Sequence, residues 1–391
     1  MFLALKLFCV VATAFTTASA SNILNVKPFR IDLESEIPRL KSLIKNTRLP
    51  AKDLYPAAGL DKGLPLDSLR QLQTDWLENF DWGTQQAALN EFSHYTVVIE
   101  GQTVHFVHEK SKDPGAIPVI LLHGWPGSFH EFSPIIKPLT ESWTSNAGKN
   151  VSYNVVVPSL PGFVFSSPPP ANWTMDDTAR IFNTLMTDVL GYSTYAIHGT
   201  DWGSVPAYTL YSSFNLTVRA AQLVFIPFLA PSPEEIAANN ITLSDIQKVA
   251  EQRSIDWGTT DQGYFTEQTT KPNDIGLALY DNPVGQLAWI AGLMKRASDP
   301  RAGTPPSVLD NTAILTSVSL YYLTDSFPIL YAPLLFSQYE YNPAFWPEEY
   351  IAKIGNLVSY KVHDFGGHFA GLDNPPALIE DIREMGLYFK A

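Results

Sequence analysis

The sequence predicts an α/β fold, with a mostly parallel central sheet, an inserted helical lid and an N-terminal extension. Three observations carry this expectation. Apolar runs at 118–122, 153–158 and 194–198 end in glycine- or proline-bearing turns and alternate with helical stretches, the pattern of buried parallel strands with crossover helices. A mainly helical, proline-bearing tract at 231–318 then breaks the rhythm. An aromatic-rich region precedes the first of these strands. With 391 residues, 45% hydrophobic and 17% charged, the chain holds enough apolar side chain for a large core, which excludes wholesale disorder. Its formal net charge of -13 argues against nucleic acid or an anionic membrane surface as the main partner.

Residues 1–20 read as a cleaved signal peptide. Lys6 precedes an apolar stretch at 7–15, and Ala18-Ser19-Ala20 has the small residues of a cleavage site. The apolar run is far shorter than the ~20 residues of a spanning helix. The single cysteine, Cys9, falls inside it, so the mature chain is expected to use neither disulfides nor thiolate chemistry. Sequons at Asn150, Asn172, Asn215 and Asn240 fit glycosylation in the secretory pathway and a secreted or lumenal location.

An N-terminal region at 21–110 follows. Residues 28–50 suggest a short strand and a helix, with Ile37, Leu40, Leu43 and Ile44 at helical spacing. A second helix is expected over 66–77. Alternation at 95–99 and 104–108 around Gly101 predicts a hairpin. The catalytic core is expected over 111–230 and 319–391, on either side of the lid. Its second part should hold strands at 329–335 and 358–362 and a closing helix from Pro375.

The chemistry concentrates in three glycine-bearing turns. Gly199-Thr200-Asp201-Trp202-Gly203 has the frame of a nucleophile elbow, a strained strand-to-helix turn, which makes the α/β-hydrolase fold the specific expectation. Aspartate in place of serine favours displacement at an electrophilic carbon, as in epoxides or alkyl halides. The plainer alternative is that Asp201 caps the following helix. His123-Gly124-Trp125-Pro126-Gly127 follows an apolar strand. It points to an oxyanion hole made by the backbone N–H groups of Trp125 and Trp202. Gly366-Gly367-His368 comes late in the chain, where this fold places its general base.

These segments resemble the microsomal-type epoxide hydrolases, a group that includes fungal soluble members and the juvenile hormone epoxide hydrolases. The likeness begins at KPFRIDLESEIPRLKSLIKNTRLP and runs through LLHGWPGSFHEF, SLPGFVFSS, GTDWGS and GGHFAGLDNP. The resemblance implies Asp201 as nucleophile and His368 as base. GYFTEQTTKP places one proton-donating tyrosine at Tyr264, and VSLYYLTDSFP places the other at Tyr321, with Tyr322 as the alternative register. It further implies a small epoxide and water as reactants, a vicinal diol as product and no cofactor. The 12% aromatic content and the lid point to a lipophilic epoxide, and no carboxylate-rich cluster stands near His105 and His108 to make a metal site. The N-terminal arm is expected to pack on the lid or on a second subunit, which leaves a homodimer open.

One position departs from the pattern. Counting back from Pro347, the expected triad acid falls on Asn342, with Glu340 two residues earlier and Glu234 or Glu235 as further candidates. If the acid is missing, ring opening without external water becomes a rival, as a cyclase or isomerase of secondary metabolism. A dehalogenase and a catalytically decayed binding protein are the remaining alternatives.

Overall fold

A computed structural model describes residues 24–388, apart from 57–58, 147, 227–229, 328–334, 337 and 352–358. The expected signal peptide with Cys9, and most of the strand expected at 329–335, lie outside these residues.

The chain opens with β1 (Lys27–Phe29), α1 (Ile37–Asn46), α2 (Leu66–Glu78) and α3 (Trp82–Leu89). The hairpin of β2 (His94–Ile99) and β3 (Gln102–Glu109) follows, then β4 (Ile117–Leu122) and α4 (Ser133–Thr140). A small ribbon of β5 (Trp143–Thr144) and β6 (Asn150–Val151) precedes β7 (Tyr153–Pro158), α5 (Met175–Thr184) and β8 (Tyr195–Gly199). Next come α6 (Ser204–Ser213), β9 (Val218–Leu223) and β10 (Phe225–Ile226). The lid consists of α7 (Pro233–Ala238), α8 (Asp245–Asp256), α9 (Gly263–Thr270), α10 (Pro272–Leu279), α11 (Pro283–Ala297) and α12 (Asn311–Leu323). The chain closes with β11 (Leu335–Phe336), β12 (Gln338–Tyr341), α13 (Glu348–Ile351), β13 (Val362–Gly367), α14 (Ala370–Asp373) and α15 (Pro375–Tyr388).

Seven strands form the main sheet in the order β1-β2-β3-β7-β4-β8-β9. The first four pair antiparallel, while β7, β4, β8 and β9 pair parallel. Val119, Ile120, Leu121 and Leu122 on β4 and Ala196 and Ile197 on β8 are fully buried. This explains their unbroken apolar runs, since both sheet faces are covered by helices. Each Val, Ile and Leu among them contributes about 1.5–3 kcal/mol of burial.

Register places the chemistry. Leu122 pairs with Gly199 at the ends of β4 and β8, so the two glycine-bearing loops leave the sheet side by side at its carboxyl edge, where open α/β sheets carry their sites. A second parallel pair, β12 and β13, aligns Tyr341 with Gly367. The next residues along, Asn342 and His368, therefore emerge together. β13 begins at Val362 and extends into Gly366–Gly367, so among the described residues only Val362 of the strand expected at 358–362 belongs to it. Pairing with β12 draws the glycines into the strand despite their weak intrinsic preference for it.

The N-terminal region packs on the lid. The Trp76 indole on α2 donates to Ser319 Oγ on α12 at 3.0 Å, and both residues are buried. Arg39 on α1 pairs with Asp281 at 2.6 Å, but both side chains are about half exposed, so that pair adds little. α12 runs to Leu323, past the expected lid boundary at 318, and Tyr321 therefore lies in its last turn.

Candidate active site

Asp201 sits in left-handed backbone with φ of 45°, a costly conformation for a non-glycine residue that clusters at functional sites. The turn exists because its neighbours have no side chain. A Cβ on Gly203 would collide with the Leu122 carbonyl, and one on Gly199 would meet Ala207 Cβ at 2.6 Å. Asp201 is not a helix cap. Its Oδ1 accepts the Trp125 backbone N–H at 2.7 Å, and its Oδ2 lies 3.1 Å from His368 Nε2. Trp202 follows it in the turn, buried, with its ring stacked on Phe265 of α9.

The Trp125 loop is braced from below by His123. Its Nδ1–H donates to the Gly124 carbonyl at 3.1 Å, while Nε2 accepts the Leu160 N–H at 3.1 Å. Burial depresses this imidazole to about 4, so it is a neutral structural residue. Gly124 is a third glycine that the site requires, because a Cβ there would run into the Asp201 carboxylate. Gly124→Ala is expected to cut turnover by about 10- to 100-fold, as a small displacement of a reacting group does. It should lower the melting temperature as well, because the added Cβ also meets Asp201 Cβ at 2.4 Å and such overpacking costs about 1–3 kcal/mol. Unchanged turnover would show that the carboxylate tolerates displacement.

His368 is buried and is fixed by its backbone. Its N–H donates to the Ala297 carbonyl at the end of α11 at 2.9 Å. The Gly366 N–H bonds Asp299 Oδ2 at 2.8 Å, and Asp373 Oδ2 accepts the Asp299 N–H at 3.0 Å. Asp299 is held below the ordinary carboxylate range by hydrogen bonds that outweigh its burial. Burial pushes Asp373 up to about 6, with the Asp299 charge adding to the effect. Sequence reasoning missed this acid pair, which carries no motif.

On its other side, His368 Nδ1 faces Asn342 Oδ1 at 3.4 Å. Asn342 is fully buried, and its Nδ2 donates to the Val224 carbonyl at 2.9 Å. That second bond fixes which end of the amide meets the imidazole. The Glu340 side chain lies outside the described residues. Glu234 and Glu235 do not reach the site. Both are exposed on α7, where Glu235 closes a capping box with Ser232.

The lid contributes both tyrosines. The Tyr264 ring stacks on Trp125 at 5.5 Å between centroids, and its hydroxyl makes no hydrogen bond among the described residues. The Tyr321 hydroxyl donates to the Gly127 carbonyl at 2.6 Å, whereas Tyr322 turns away to Asp281 at 3.0 Å. Burial first, and then the negative charge of Asp201, raise both Tyr264 and Tyr321, so both phenols are neutral donors.

Comparison with known proteins bears on the family and the fold. A match to the family described as Epoxide hydrolase N terminus covers residues 26–132, and one to the alpha/beta hydrolase fold covers 117–375. The solved Aspergillus niger epoxide hydrolase is 32% identical, with a TM-score of 0.79 over 94% of this chain and 97% of that one. The chain belongs to the microsomal-type epoxide hydrolase family. A juvenile hormone epoxide hydrolase 2 of Ctenocephalides felis is 28% identical over 92% of this chain and 84% of its own length. The silkworm (Bombyx mori) juvenile hormone epoxide hydrolase structure superposes with a TM-score of 0.80 at 24% identity, covering 93% of this chain and 95% of that one. At that identity the likeness shows the α/β-hydrolase fold. Within this epoxide hydrolase, the sequence-derived Asp201, His368, Tyr264, Tyr321 and Asn342 converge on one site at the carboxyl edge of the sheet.

Proposed function

We propose that the enzyme opens a lipophilic epoxide by attack of Asp201 and clears the resulting ester with water activated by His368, giving a vicinal diol. The observation that carries this reading is the strained Asp201 itself, with one oxygen on the Trp125 N–H and the other facing His368 Nε2. Attack by a carboxylate oxygen on a ring carbon breaks the C–O bond and leaves an alkoxide. Tyr264 and Tyr321 donate to that oxygen. Tyr264 is free to do so, and the Tyr321 hydroxyl must swing from the Gly127 carbonyl. In the second half, His368 takes a proton from water attacking the ester carbonyl. The oxyanion is met by the N–H groups of Trp125 and Trp202. Aromatic side chains around the nucleophile, Trp125, Trp202, Phe265 and Trp257, suit an apolar substrate.

A single turnover in ¹⁸O-labelled water tests the ester route. Labelled oxygen should appear in the Asp201 peptide and not in the first diol released. Label in that diol would rule out a covalent intermediate.

A second reading rests on Asn342, which offers His368 no charge. If ester hydrolysis is slow, an internal hydroxyl of the substrate can open the Tyr-activated epoxide instead and give a cyclic ether. An unlabelled cyclic product would establish it.

Secretion and glycosylation belong to the same reading. Asn150, Asn172, Asn215 and Asn240 are all exposed, which supports glycan attachment. Protein from a secreting eukaryotic host is expected to lose mass on N-glycosidase treatment, and no change would refute the glycan claim.

A further inference from the structure

We propose that Glu131 is the proton store of this active site: it gives its proton to the oxygen released on ring opening and then, as a carboxylate, supplies the charge that Asn342 lacks. The inference rests on the ester route proposed above. Three observations carry it.

Glu131 is buried in the short 3-10 turn Phe129–Phe132, directly after the Trp125 loop. Its Oε2 occupies the space where a Cβ on Gly127 would lie, which is why that position is glycine. The Gly127 carbonyl is the acceptor of the Tyr321 hydroxyl, so the carboxyl and the phenol meet at one residue. The other end of the same loop, Gly124, lies against the Asp201 carboxylate.

No hydrogen bond or ion pair reaches the Glu131 carboxyl among the described residues. An anion there would be desolvated and unpaired, an expensive state. Burial, followed by the negative charge of Asp201, accordingly holds this carboxyl well above the ordinary range. The Asp201 charge acts on it, and its own charge acts on Tyr321. Asp373, on α14 packed against the same turn, is bonded to Asp299 and Ser307 instead. His130, within the turn, contacts Ser133.

The third observation is the uncharged Asn342 beside His368. Of the neighbouring acids, Asp299 is bound by Arg301 and Gly366, and Asp373 by Asp299 and Ser307.

The cycle balances. The resting site holds Asp201 as anion and Glu131 as acid. Ring opening forms the Asp201 ester, and the alkoxide becomes a hydroxyl with the proton that leaves Glu131 by way of Tyr321. The single negative charge has thus moved from Asp201 to Glu131. Removing the Asp201 charge also removes the repulsion that adds to burial in keeping Glu131 protonated. Water then attacks the ester and gives its proton to His368, whose imidazolium is stabilised by the Glu131 carboxylate. Collapse releases the diol, restores the Asp201 carboxylate and returns the remaining proton to Glu131.

The test uses the full-length enzyme, intact-mass detection of the ester, and styrene oxide, 1,2-epoxyoctane and cis-stilbene oxide as probes. Glu131→Gln should slow ester hydrolysis by about 10²-fold, the usual contribution of such proton chemistry, so that the ester accumulates. Ring opening should slow as well. In wild type it should fall as pH rises through the Glu131 ionisation, and in the variant it should be flat. Glu131→Asp should recover part of both rates, and adding Asn342→Asp to Glu131→Gln should restore ester hydrolysis alone. A folded Glu131→Gln enzyme with both rates and the pH profile unchanged would overturn the proposal. So would Glu131→Asp being as slow as Glu131→Gln with no rescue by Asn342→Asp, which would mark a packing role. Absence of ester and diol from wild type with every probe would instead sink the epoxide reading, and this proposal with it.

Discussion

Asn342→Asp is expected to speed hydrolysis of the Asp201 ester by on the order of 10²-fold. In serine proteases the opposite change at the orienting acid costs ~10⁴, largely because the imidazole adopts the wrong tautomer. Here the tautomer is already set. Asn342 Nδ2 is committed to the Val224 carbonyl, so its Oδ1 faces His368 and demands a proton on Nδ1, leaving Nε2 as the base toward Asp201. What the amide lacks is a charge in direct contact with the imidazolium. The Glu131 carboxylate proposed above acts without a hydrogen bond to it, so aspartate still gains, by less than the full protease effect. The substitution also places a carboxylate oxygen against the Val224 carbonyl where an N–H had been. That leaves a buried acceptor without its donor and costs about 1–3 kcal/mol of stability. The variant should therefore be faster in the second half-reaction and lower melting. Single-turnover decay of the ester by intact mass, beside a thermal melt, reads both. An unchanged decay rate would mean that charge at this position does not limit hydrolysis.

The same residue marks the limit of what the sequence made legible. The elbow was readable because its geometry leaves no choice of residue: a side chain on Gly203 would strike the Leu122 carbonyl, so the glycine frame survives as a motif. The strands 95–99 and 153–158 were readable because alternation and unbroken apolar runs report directly on one or two buried faces. That Asn342 lies beside His368 follows from the parallel pairing of Tyr341 with Gly367, a register between strands that no local pattern encodes. Choosing Tyr321 over Tyr322 was equally hidden. α12 is buried nearly all round, so periodicity does not say which phenol reaches the Trp125 loop. Glu131 was invisible for another reason. In SFHEF it looks like an ordinary surface acid opening a helix, and only the space left by Gly127 shows where its carboxyl goes.

Acid is expected to unfold the enzyme between the ordinary imidazole value, 6.5, and about 4. The cause is a set of histidines buried in neutral form. His105, His123 and His198 have no exposed surface, and His94 has almost none. Burial lowers all four, with His123 and His198 brought to about 4. A histidine whose folded pKa is depressed binds its proton more weakly in the native state. It therefore contributes stability above pH 6.5, and that contribution drains away as pH falls toward the folded value. At 1.36 kcal/mol per unit, each of His123 and His198 withdraws about 3 kcal/mol. His94 and His105 add to this, because their ring nitrogens lie 3.0 Å apart and cannot both carry a proton. Two groups oppose the trend. Asp373, raised to about 6, and Glu131, raised well above its usual range, take up protons more readily when folded, and so add stability as pH drops. Asp373 returns about 3 kcal/mol and offsets one histidine, and Glu131 offsets another. His108 and His130, also brought to about 4 by burial, leave a remainder on the side of loss. That remainder rivals the ~5–15 kcal/mol total stability of a typical domain. The melting temperature should fall steeply below pH 6.5 with net proton uptake, and His198→Gln should flatten the slope by about one proton's worth. A melting temperature that holds constant from pH 7 to about 4.5 would mean these imidazoles reach water before the fold opens.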